Sequence, residues 1–356
     1  MTTLTTKGFH HVTMVAKNAQ RTLSFYRDVL GLRLVKKTVN FDVPDTYHLY
    51  FGDGQGAPGT LLTFFEWPKA ARGGYGVGGV HHVALAVADE ATQLRWKRWL
   101  GDRAVPVSGP YNRGYFKSIY FADPDGQILE IATEGPGFAT DEPIDSLGRT
   151  LIQPKPVQLP QGRDEREIQA ETHPEPIPAL TPEMTLRGIH HVTGISDDLA
   201  AADAFYTEAL GLSLVKKTVN QDDPDTLHYF WANYDGARVL PASDMTLFGW
   251  PASTRPAREG IGQTHHVAFR ADDDDHIAAW RERLIGQGRQ VTPSMDRKYF
   301  KSIYFRTPDG LLVEIATDPP GFAVDEDASR LGEALRLPEW LEPTREQVAA
   351  SLPALV

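Results

Sequence analysis

The fold is decided by the stretch from Gly8 to Asn40, which reads GFHHVTMVAKNAQRTLSFYRDVLGLRLVKKTVN. It returns from Gly188 to Asn220 as GIHHVTGISDDLAAADAFYTEALGLSLVKKTVN, and 17 of the 33 aligned positions are identical. A second segment, RGYFKSIYFADPDGQILEIAT from Arg113, recurs from Arg297 as RKYFKSIYFRTPDGLLVEIAT, with 15 of 21 positions identical. Two matches in the same order indicate that the chain is a tandem duplication.

Each half is predicted to contain two modules of the order β-α-β-β-β. In the first module, HHVTMVA alternates as a strand does, and Ala19 to Leu30 carries apolar residues near helical spacing before Gly31, a typical residue after a helix. Three further apolar strands follow it. A second HH phrase, HHVALAV from His81, returns as HHVAFRA from His265. The modules are predicted at about 8–67, 79–133, 188–250 and 263–317.

The repeats predict an N-terminal half over residues 1–150 and a C-terminal half over 188–330. Between them, 151–187 is rich in proline and charge, so we expect a linker or surface wrap that buries little apolar area. The extension 331–356 is expected to be partly helical, around Arg345 to Ala350, and to pack on the outside.

Composition excludes several classes of protein. With 41% hydrophobic and 23% charged residues in 356, the chain is typical of a globular protein. A net charge of -11 argues against nucleic acid or an anionic membrane as a partner. No signal peptide or long apolar run is evident, so a cytoplasmic location is expected. Cysteine is absent, so any metal must be held by His, Asp or Glu. Homo-oligomerisation is left open.

The HH motifs and two glutamates within apolar strands are the candidate functional residues. Neighbours in a strand point to opposite faces, so one histidine of each pair faces a given interior, and the second is the better candidate. Glu130 and Glu314 lie inside apolar strands, where an unpaired carboxylate is costly. The carboxylates could pair with Arg or Lys, or they could bind a metal with the histidines. Two imidazoles and one carboxylate leave coordination positions open, as Fe(II) or Mn(II) requires.

HHVT, a helix ending in FYxxxLGL and a closing strand with an embedded Glu resemble the vicinal oxygen chelate (glyoxalase/bleomycin resistance/extradiol dioxygenase) superfamily. The resemblance implies an α+β fold in which four βαβββ modules pair into two open half-barrel sheets. LGLRLVKKTVNFDVPDTYHLYFGD, PGTLLTFFEWP and DRKYFKSIYFRTPDG are similar to hydroquinone-type ring-cleaving dioxygenases. That similarity implies the opening of a hydroquinone or catechol ring with O2 at non-haem Fe(II), with Mn(II) as the alternative and no organic cofactor.

The resemblance also implies site residues. The implied metal ligands are His11, His266 and Glu314. The residues implied around the substrate are His10, Thr13, His265, Arg297 and Tyr304. If modules one and four share one sheet and two and three share the other, the repeats imply a second metal set, His82, Glu130 and His191. Sequential pairing of the modules would instead group His11 with His82 and Glu130, and His191 with His266 and Glu314.

Two other functions stay open at this point. A glyoxalase-type isomerase or lyase takes a fourth ligand from the last strand of the other module, where this chain has Leu62 or Thr63; Glu66 comes too late in the strand. Three ligands therefore favour the dioxygenase. A metal-free binding protein of the same fold would have an apolar and aromatic cavity, which the embedded glutamates argue against. His48 and His228 are expected to be core or rim residues.

Overall fold

The computed structural model describes residues 4–356, and its four βαβββ modules follow one another along the chain. Module one contains β1 (Phe9–Ala16), α1 (Ala19–Leu23), β2 (Arg33–Asn40), β3 (Val43–Gly52) and β4 (Leu61–Glu66). Module two contains β5 (Val80–Val87), α2 (Glu90–Asp102), β6 (Ser108–Asn112), β7 (Lys117–Ala122) and β8 (Ile128–Thr133). A short helix, α3 (Glu165–Ala170), lies between the two halves.

The second half repeats this order. Module three contains β9 (Ile189–Ser196), α4 (Leu199–Ala204), β10 (Ser213–Asn220), β11 (Asp223–Ala232) and β12 (Asp244–Gly249). Module four contains β13 (Thr264–Ala271), α5 (Asp274–Gly286), β14 (Met295–Asp296), β15 (Lys301–Arg306) and β16 (Leu312–Thr317). The chain ends with α6 (Arg345–Ser351), where the sequence predicted a helix. Among residues 4–356, no helix combines the length and apolarity needed to cross a bilayer.

The helices of modules one and three change character at the FYxxxL motif. After α1 the chain continues as a π-helix over Ser24–Val29, and after α4 it does so over Phe205–Ala209. The wider turn buries both aromatic residues of each motif beneath the sheet. The helix predicted over Ala19 to Leu30 is therefore present, with a second half that is not α-helical.

The strands form two eight-stranded sheets, which confirms the predicted fold class. The first sheet has the order β14-β15-β16-β13-β1-β4-β3-β2, so it combines modules four and one. The second has the order β10-β11-β12-β9-β5-β8-β7-β6 and combines modules three and two. Antiparallel pairing of β1 with β13, and of β9 with β5, joins the modules at the centre of each sheet. Sequential pairing of the modules is therefore wrong.

In each sheet, a buried lysine on an outer strand pairs with acidic residues in the chain segment, here called the tail, that follows the partner module. Lys36 on β2 is fully buried, and its Nζ lies 2.7 Å from Asp325 Oδ1 and in contact with Glu326. Lys216 on β10 contacts Asp141 and Glu142 in the same way. The tails share the pattern GFAxDE, which begins at Gly137 after module two and at Gly321 after module four. The repeat therefore extends beyond modules two and four to include these acidic stretches.

Replacing this buried lysine should destabilise the fold. Lys36→Ala removes the buried cation that Asp325 and Glu326 share and leaves them only Lys298 and Arg336, so the free energy of unfolding should fall by about 3 kcal/mol, measured by urea denaturation. Lys37→Ala, at the half-buried neighbour, is the matched control and should change it by less than about 1 kcal/mol. Equal losses in the two variants would contradict a stabilising role for the cluster.

Candidate metal centre

Three strands place the predicted ligands of the first sheet on one face. His11 on β1 lies directly opposite Ala268 on β13, and Ala268 lies directly opposite Glu314 on β16. Residues paired in this way share a face of the sheet. His266 is two residues before Ala268, so the two-residue period of a strand places it on the same face. The small side chain of Ala268 leaves the space between the imidazole and the carboxylate unfilled.

The three ligand atoms converge within this space. His11 Nε2 lies 3.1 Å from His266 Nε2 and 3.4 Å from Glu314 Oε2, and His266 Nε2 lies 2.8 Å from the same oxygen. All three side chains are buried, with Glu314 at 0% exposure. Among the described residues, the ion pairs of Glu314 are with these two histidines and not with Arg or Lys. The structural ion pair that the sequence left open is therefore not formed.

Electrostatics favour an anionic Glu314 beside a neutral His266. Burial would raise the pKa of Glu314, but the two imidazoles outweigh it and hold the pKa well below its usual range. Burial lowers the pKa of His266 to about 4, although Glu314 opposes this shift. Neutral imidazole and ionised carboxylate are the states that ligate metals.

The donor set fits a first-row divalent metal. Adjacent ligands of an octahedral ion with bonds of about 2.1 Å are separated by about 3.0 Å, close to the distances between these atoms. Three atoms that each offer a lone pair repel one another unless a proton or a cation lies between them. In the second sheet His82, Glu130 and His191 form a matching group, with distances of 3.0–3.3 Å between the corresponding atoms.

The first histidine of each HH pair occupies a β-bulge. The β1–β13 ladder slips by one residue at His10 and again at His265, and the β5–β9 ladder does so at His81 and His190. A bulge inserts one extra residue and re-aims its side chain. His10 Nδ1 thus lies 2.8 Å from His11 Nδ1, and the other three pairs make the same contact at 2.7–2.8 Å. These histidines support the ligands from behind.

A carboxylate missed by the sequence reasoning extends one of these contacts. Glu259, in the loop before β13, places Oε1 at 2.9 Å from His265 Nε2. His265 in turn contacts His266 Nδ1 at 2.7 Å, so Glu259, His265 and His266 form a chain of contacts that ends at the candidate metal position. Tyr75 occupies the matching place in the second sheet. The sequence contained no signal for Glu259, because it does not lie in an apolar strand and is not repeated in the other half of the chain.

A cavity of about 30 Å³ opens onto the three candidate ligands. This is far below the roughly 300 Å³ of a typical small-molecule pocket, so an aromatic ligand requires its walls to move. Beyond the ligands, its lining residues are Asn40, Phe41, Asp42, His48, Tyr50, Phe65, Arg297, Phe300 and Tyr304. Phe41 at the mouth packs edge-to-face on Trp340 of the C-terminal extension, with ring centroids 5.6 Å apart.

The residues implied around the substrate divide into two groups. Arg297 and Tyr304 line the cavity, with the guanidinium carbon 5.4 Å from the tyrosine ring centroid. Thr13, His10 and His265 do not line it: Thr13 lies on the ligand face, directly opposite His266, with its Oγ1 2.7 Å from that of Thr63, and the two histidines contact the ligand imidazoles.

His48 lines the cavity, although the sequence placed it in the core or at the rim. Its Nδ1 lies 3.0 Å from the Tyr50 hydroxyl, and its Nε2 lies 3.0 Å from Thr63 Oγ1. Its presence in both DTYHLY and DTLHYF was the available signal.

No carboxylate in the described residues supplies a fourth ligand to this group. Glu314 lies opposite Ala268, which is two residues after the ligand His266. The equivalent position in module one is Thr63 on β4, which lies opposite Thr13, two residues after His11. Glu66 instead accepts a hydrogen bond from the Ala19 backbone N–H at 2.8 Å, at the start of α1. It caps a helix and lies away from the cluster.

A family model described as the Glyoxalase/Bleomycin resistance protein/Dioxygenase superfamily matches residues 8–131 and 188–315. The chain belongs to this superfamily. The resemblance inferred from the HHVT and FYxxxLGL motifs is thereby confirmed.

This superfamily member has relatives over its whole length. It is 35% identical to MhqO of Bacillus subtilis, designated a ring-cleaving dioxygenase, covering 98% of this chain and 96% of that one. It is 31% identical to the chlorohydroquinone/hydroquinone 1,2-dioxygenase of Sphingobium indicum, covering 97% and 96%. A crystal structure assigned to a Bacillus subtilis dioxygenase aligns with a TM-score of 0.78 at 34% identity, covering 99% and 98%. Glyoxalase I of Zea mays, at 18% identity and a TM-score of 0.56 over 87% and 92%, shares the fold.

The space above Ala268 can be tested without removing a ligand. Ala268→Leu should fill the gap between His11 and Glu314 and reduce bound divalent metal by one ion per chain, measured by elemental analysis after loading with Mn(II). Ala271→Leu adds the same volume to β13 on the opposite face of the sheet and is the matched control. Unchanged metal content in Ala268→Leu would show that the ion is held elsewhere.

Proposed function

We propose that this protein is a ring-cleaving dioxygenase that opens a hydroquinone- or catechol-type ring with O2 at a non-haem iron centre. His11, His266 and Glu314 would hold the ion, which we propose to be Fe(II), with Mn(II) as the alternative. The observation that carries the proposal is a group of two imidazoles and one carboxylate with no fourth protein ligand in the described residues. The full-length similarity to ring-cleaving dioxygenases supports it.

An open ligand set suits this reaction. Three protein ligands leave positions for two oxygen atoms of different molecules, whereas a fourth ligand would favour an isomerase. When bound, the metal would supply a Lewis acid for the phenolic oxygen and a redox partner for ring and O2. Both atoms of O2 enter the product and one ring C–C bond breaks, so the reaction needs no external reductant.

The walls of the cavity would bind and orient the ring. Phe65 and Phe300 offer apolar faces beside the imidazoles, with Phe300 5.3 Å from His11 and Phe65 6.4 Å from His266, centroid to centroid. An aromatic substrate entering between them would exclude water and pack with favourable ring geometry. Phe41 and Trp340 would have to move apart to admit it, because the cavity is small.

Tyr304 and Arg297 are placed to bind the oxygen that gains negative charge. Burial raises the pKa of Tyr304, so its hydroxyl keeps its proton and can donate a hydrogen bond. Arg297 lies within the same wall and contacts Asp42 at 3.4 Å across the mouth. A guanidinium and a neutral phenol in a buried site stabilise an anion more strongly than water does.

The bulged histidines would fix the ligand tautomers. With His266 Nε2 holding the metal, the proton of that ring would lie on Nδ1, which would donate a hydrogen bond to His265 Nδ1. His265 would then carry its own proton on Nε2 and donate a hydrogen bond to Glu259. A carboxylate acting through histidine raises ligand basicity and fixes ring orientation. His10, His265 and Glu259 are therefore proposed as positioning residues.

The reaction is tested by oxygen uptake. The Fe(II)-loaded protein should consume O2 with a panel of hydroquinones and catechols and yield ring-opened products, measured with an oxygen electrode and mass spectrometry. Glu314→Gln should lower the rate by 10³-fold or more, because it removes one of three proposed ligands while keeping the side-chain volume. Tightly held zinc or nickel without uptake would favour an isomerase, and a protein that binds aromatics without any metal would favour a binding function.

The positioning role of Glu259 predicts a defect that metal can rescue. Glu259→Gln should weaken metal binding at this centre about 10-fold or more, with most of the rate restored at saturating Fe(II). Glu282→Gln, at a position on α5 outside this cluster, is the control and should behave as the unmodified protein. If Glu259→Gln bound metal with unaltered affinity, the contact between Glu259 and His265 would be a surface ion pair without a positioning role.

Cytoplasmic location remains a prediction of the sequence.

A further inference from the structure

The second sheet repeats the geometry of the first ligand group. His191 on β9, Ala84 on β5 and Glu130 on β8 lie in one row across the strands, and His82 is two residues before Ala84. His82 Nε2 lies 3.0 Å from Glu130 Oε2 and 3.3 Å from His191 Nε2, and His191 Nε2 lies 3.3 Å from the same oxygen. The Thr193 hydroxyl also lies 2.9 Å from His82 Nε2, while sharing a 2.8 Å contact with Thr246.

Glu130 is buried with no polar partner other than the two imidazoles. Its exposure is 0%, and apart from the His82 and His191 nitrogens neither carboxylate oxygen has a hydrogen-bond partner among the described residues. The nearby Ser118 hydroxyl is also unpartnered, whereas its counterpart Ser302 donates to Glu314 in the first sheet. Arg113 does not pair with Glu130, since its guanidinium is bound to Tyr120, Gln221 and Asp222.

A second buried carboxylate distinguishes this group from the first. Asp244 begins β12 directly opposite His191, at the position that Leu61 occupies opposite His11. It is 4% exposed, and both of its oxygens lack hydrogen-bond partners in the described part of the chain. A carboxylate oxygen of Asp244 lies within 4.8 Å of ring nitrogens of His190 and His191.

The charges in this group need a cation. Two carboxylates, Glu130 and Asp244, are buried here, whereas the first sheet buries one in the corresponding positions. Uncompensated buried charge is costly, and among the described residues no Arg or Lys forms an ion pair with either carboxylate. A divalent ion would neutralise both carboxylates and accept the lone pairs that now face one another.

We propose that the second sheet binds its own divalent first-row metal ion through His82, His191 and Glu130, with Asp244 as a buried anion that strengthens binding. The chain then carries two metal centres, one in each sheet. This inference concerns metal binding and does not depend on ring cleavage at either centre.

The two centres differ at their mouths. Gln221 and Phe230 replace Phe41 and Tyr50 of the first sheet. Arg163, from the segment between the halves, lies 2.7 Å from Asp222 beside Gln221. A different chain segment therefore lies at each mouth, the segment between the halves at the second centre and the C-terminal extension, through Trp340, at the first.

Metal stoichiometry tests the proposal. The full chain, Glu130→Gln, Glu314→Gln and the double variant would be loaded with Co(II), desalted and assayed by elemental analysis. We expect two, one, one and no ions per chain, respectively. A Glu130→Gln variant that retains the full complement of the unmodified chain would overturn the proposal, as would a single ion that Glu314→Gln removes.

A folding defect would be detected separately. Circular dichroism and thermal midpoints would be recorded for each variant, and Ala84→Leu would replace Glu130→Gln if the latter did not fold. Ala84→Leu fills the space between His191 and Glu130 and should also remove one ion. Retention of both ions in a folded Ala84→Leu variant would contradict the proposal.

Asp244→Leu tests the part that is specific to this sheet. It installs the residue found at the first centre and should weaken Co(II) binding at the second centre about 10-fold or more, measured by titration in the Glu314→Gln background. Asp235→Asn, an exposed position in the loop before β12, is the control. An unchanged affinity in Asp244→Leu would remove Asp244 from the proposal.

The outcomes for metal and for activity are separable. Two bound ions without oxygen uptake would leave this inference standing and contradict the dioxygenase. Oxygen uptake with one ion, lost in Glu314→Gln, would support the dioxygenase and overturn the second centre.

Discussion

The antiparallel pairing of β1 with β13 is the constraint on which the rest of the structure depends. It joins the first module to the last, so that His11 and His266, 255 residues apart in the chain, face each other across adjacent strands. Every ligand contact follows from this register, because a slip of one residue would turn the imidazoles to the opposite face. Parallel pairing of β13 with β16 then brings Glu314 into the same row. The pairing of β5 with β9 repeats the arrangement in the second sheet.

The acidic tails stabilise each sheet. Lys36 of module one pairs with Asp325 and Glu326, which follow module four, and Lys216 of module three pairs with acids that follow module two. Removing one partner of a buried ion pair of this kind is strongly destabilising. Both tails carry the GFAxDE pattern, so sequential pairing of the modules would offer each lysine an equivalent pair of acids. The tails therefore stabilise the sheet that forms without selecting between the two pairings.

The two sheets keep the same ligands but differ at positions beside them. Leu61 is matched by Asp244, and Glu259 is matched by Tyr75. Each centre thus has one additional carboxylate. In the first sheet Glu259 acts through His265 on the ligand His266, and in the second sheet Asp244 lies beside the ligand His191. Since outer carboxylates tune ligand basicity, the two centres are expected to differ in metal affinity despite equal ligand sets.

The sequence by itself determined the module order, the strand and helix positions near the HH motifs, and the residue types able to bind a metal, because duplication and periodicity are local patterns. It also predicted that Glu130 and Glu314 need a cation, since a charge inside an apolar strand is costly wherever the strand packs. Only the tertiary structure decided which modules share a sheet, that the first histidine of each pair occupies a bulge, and that Glu259 and Asp244 lie beside the candidate centres. These features depend on contacts between distant segments, whose register is set by packing and by buried charge pairs that no single segment contains.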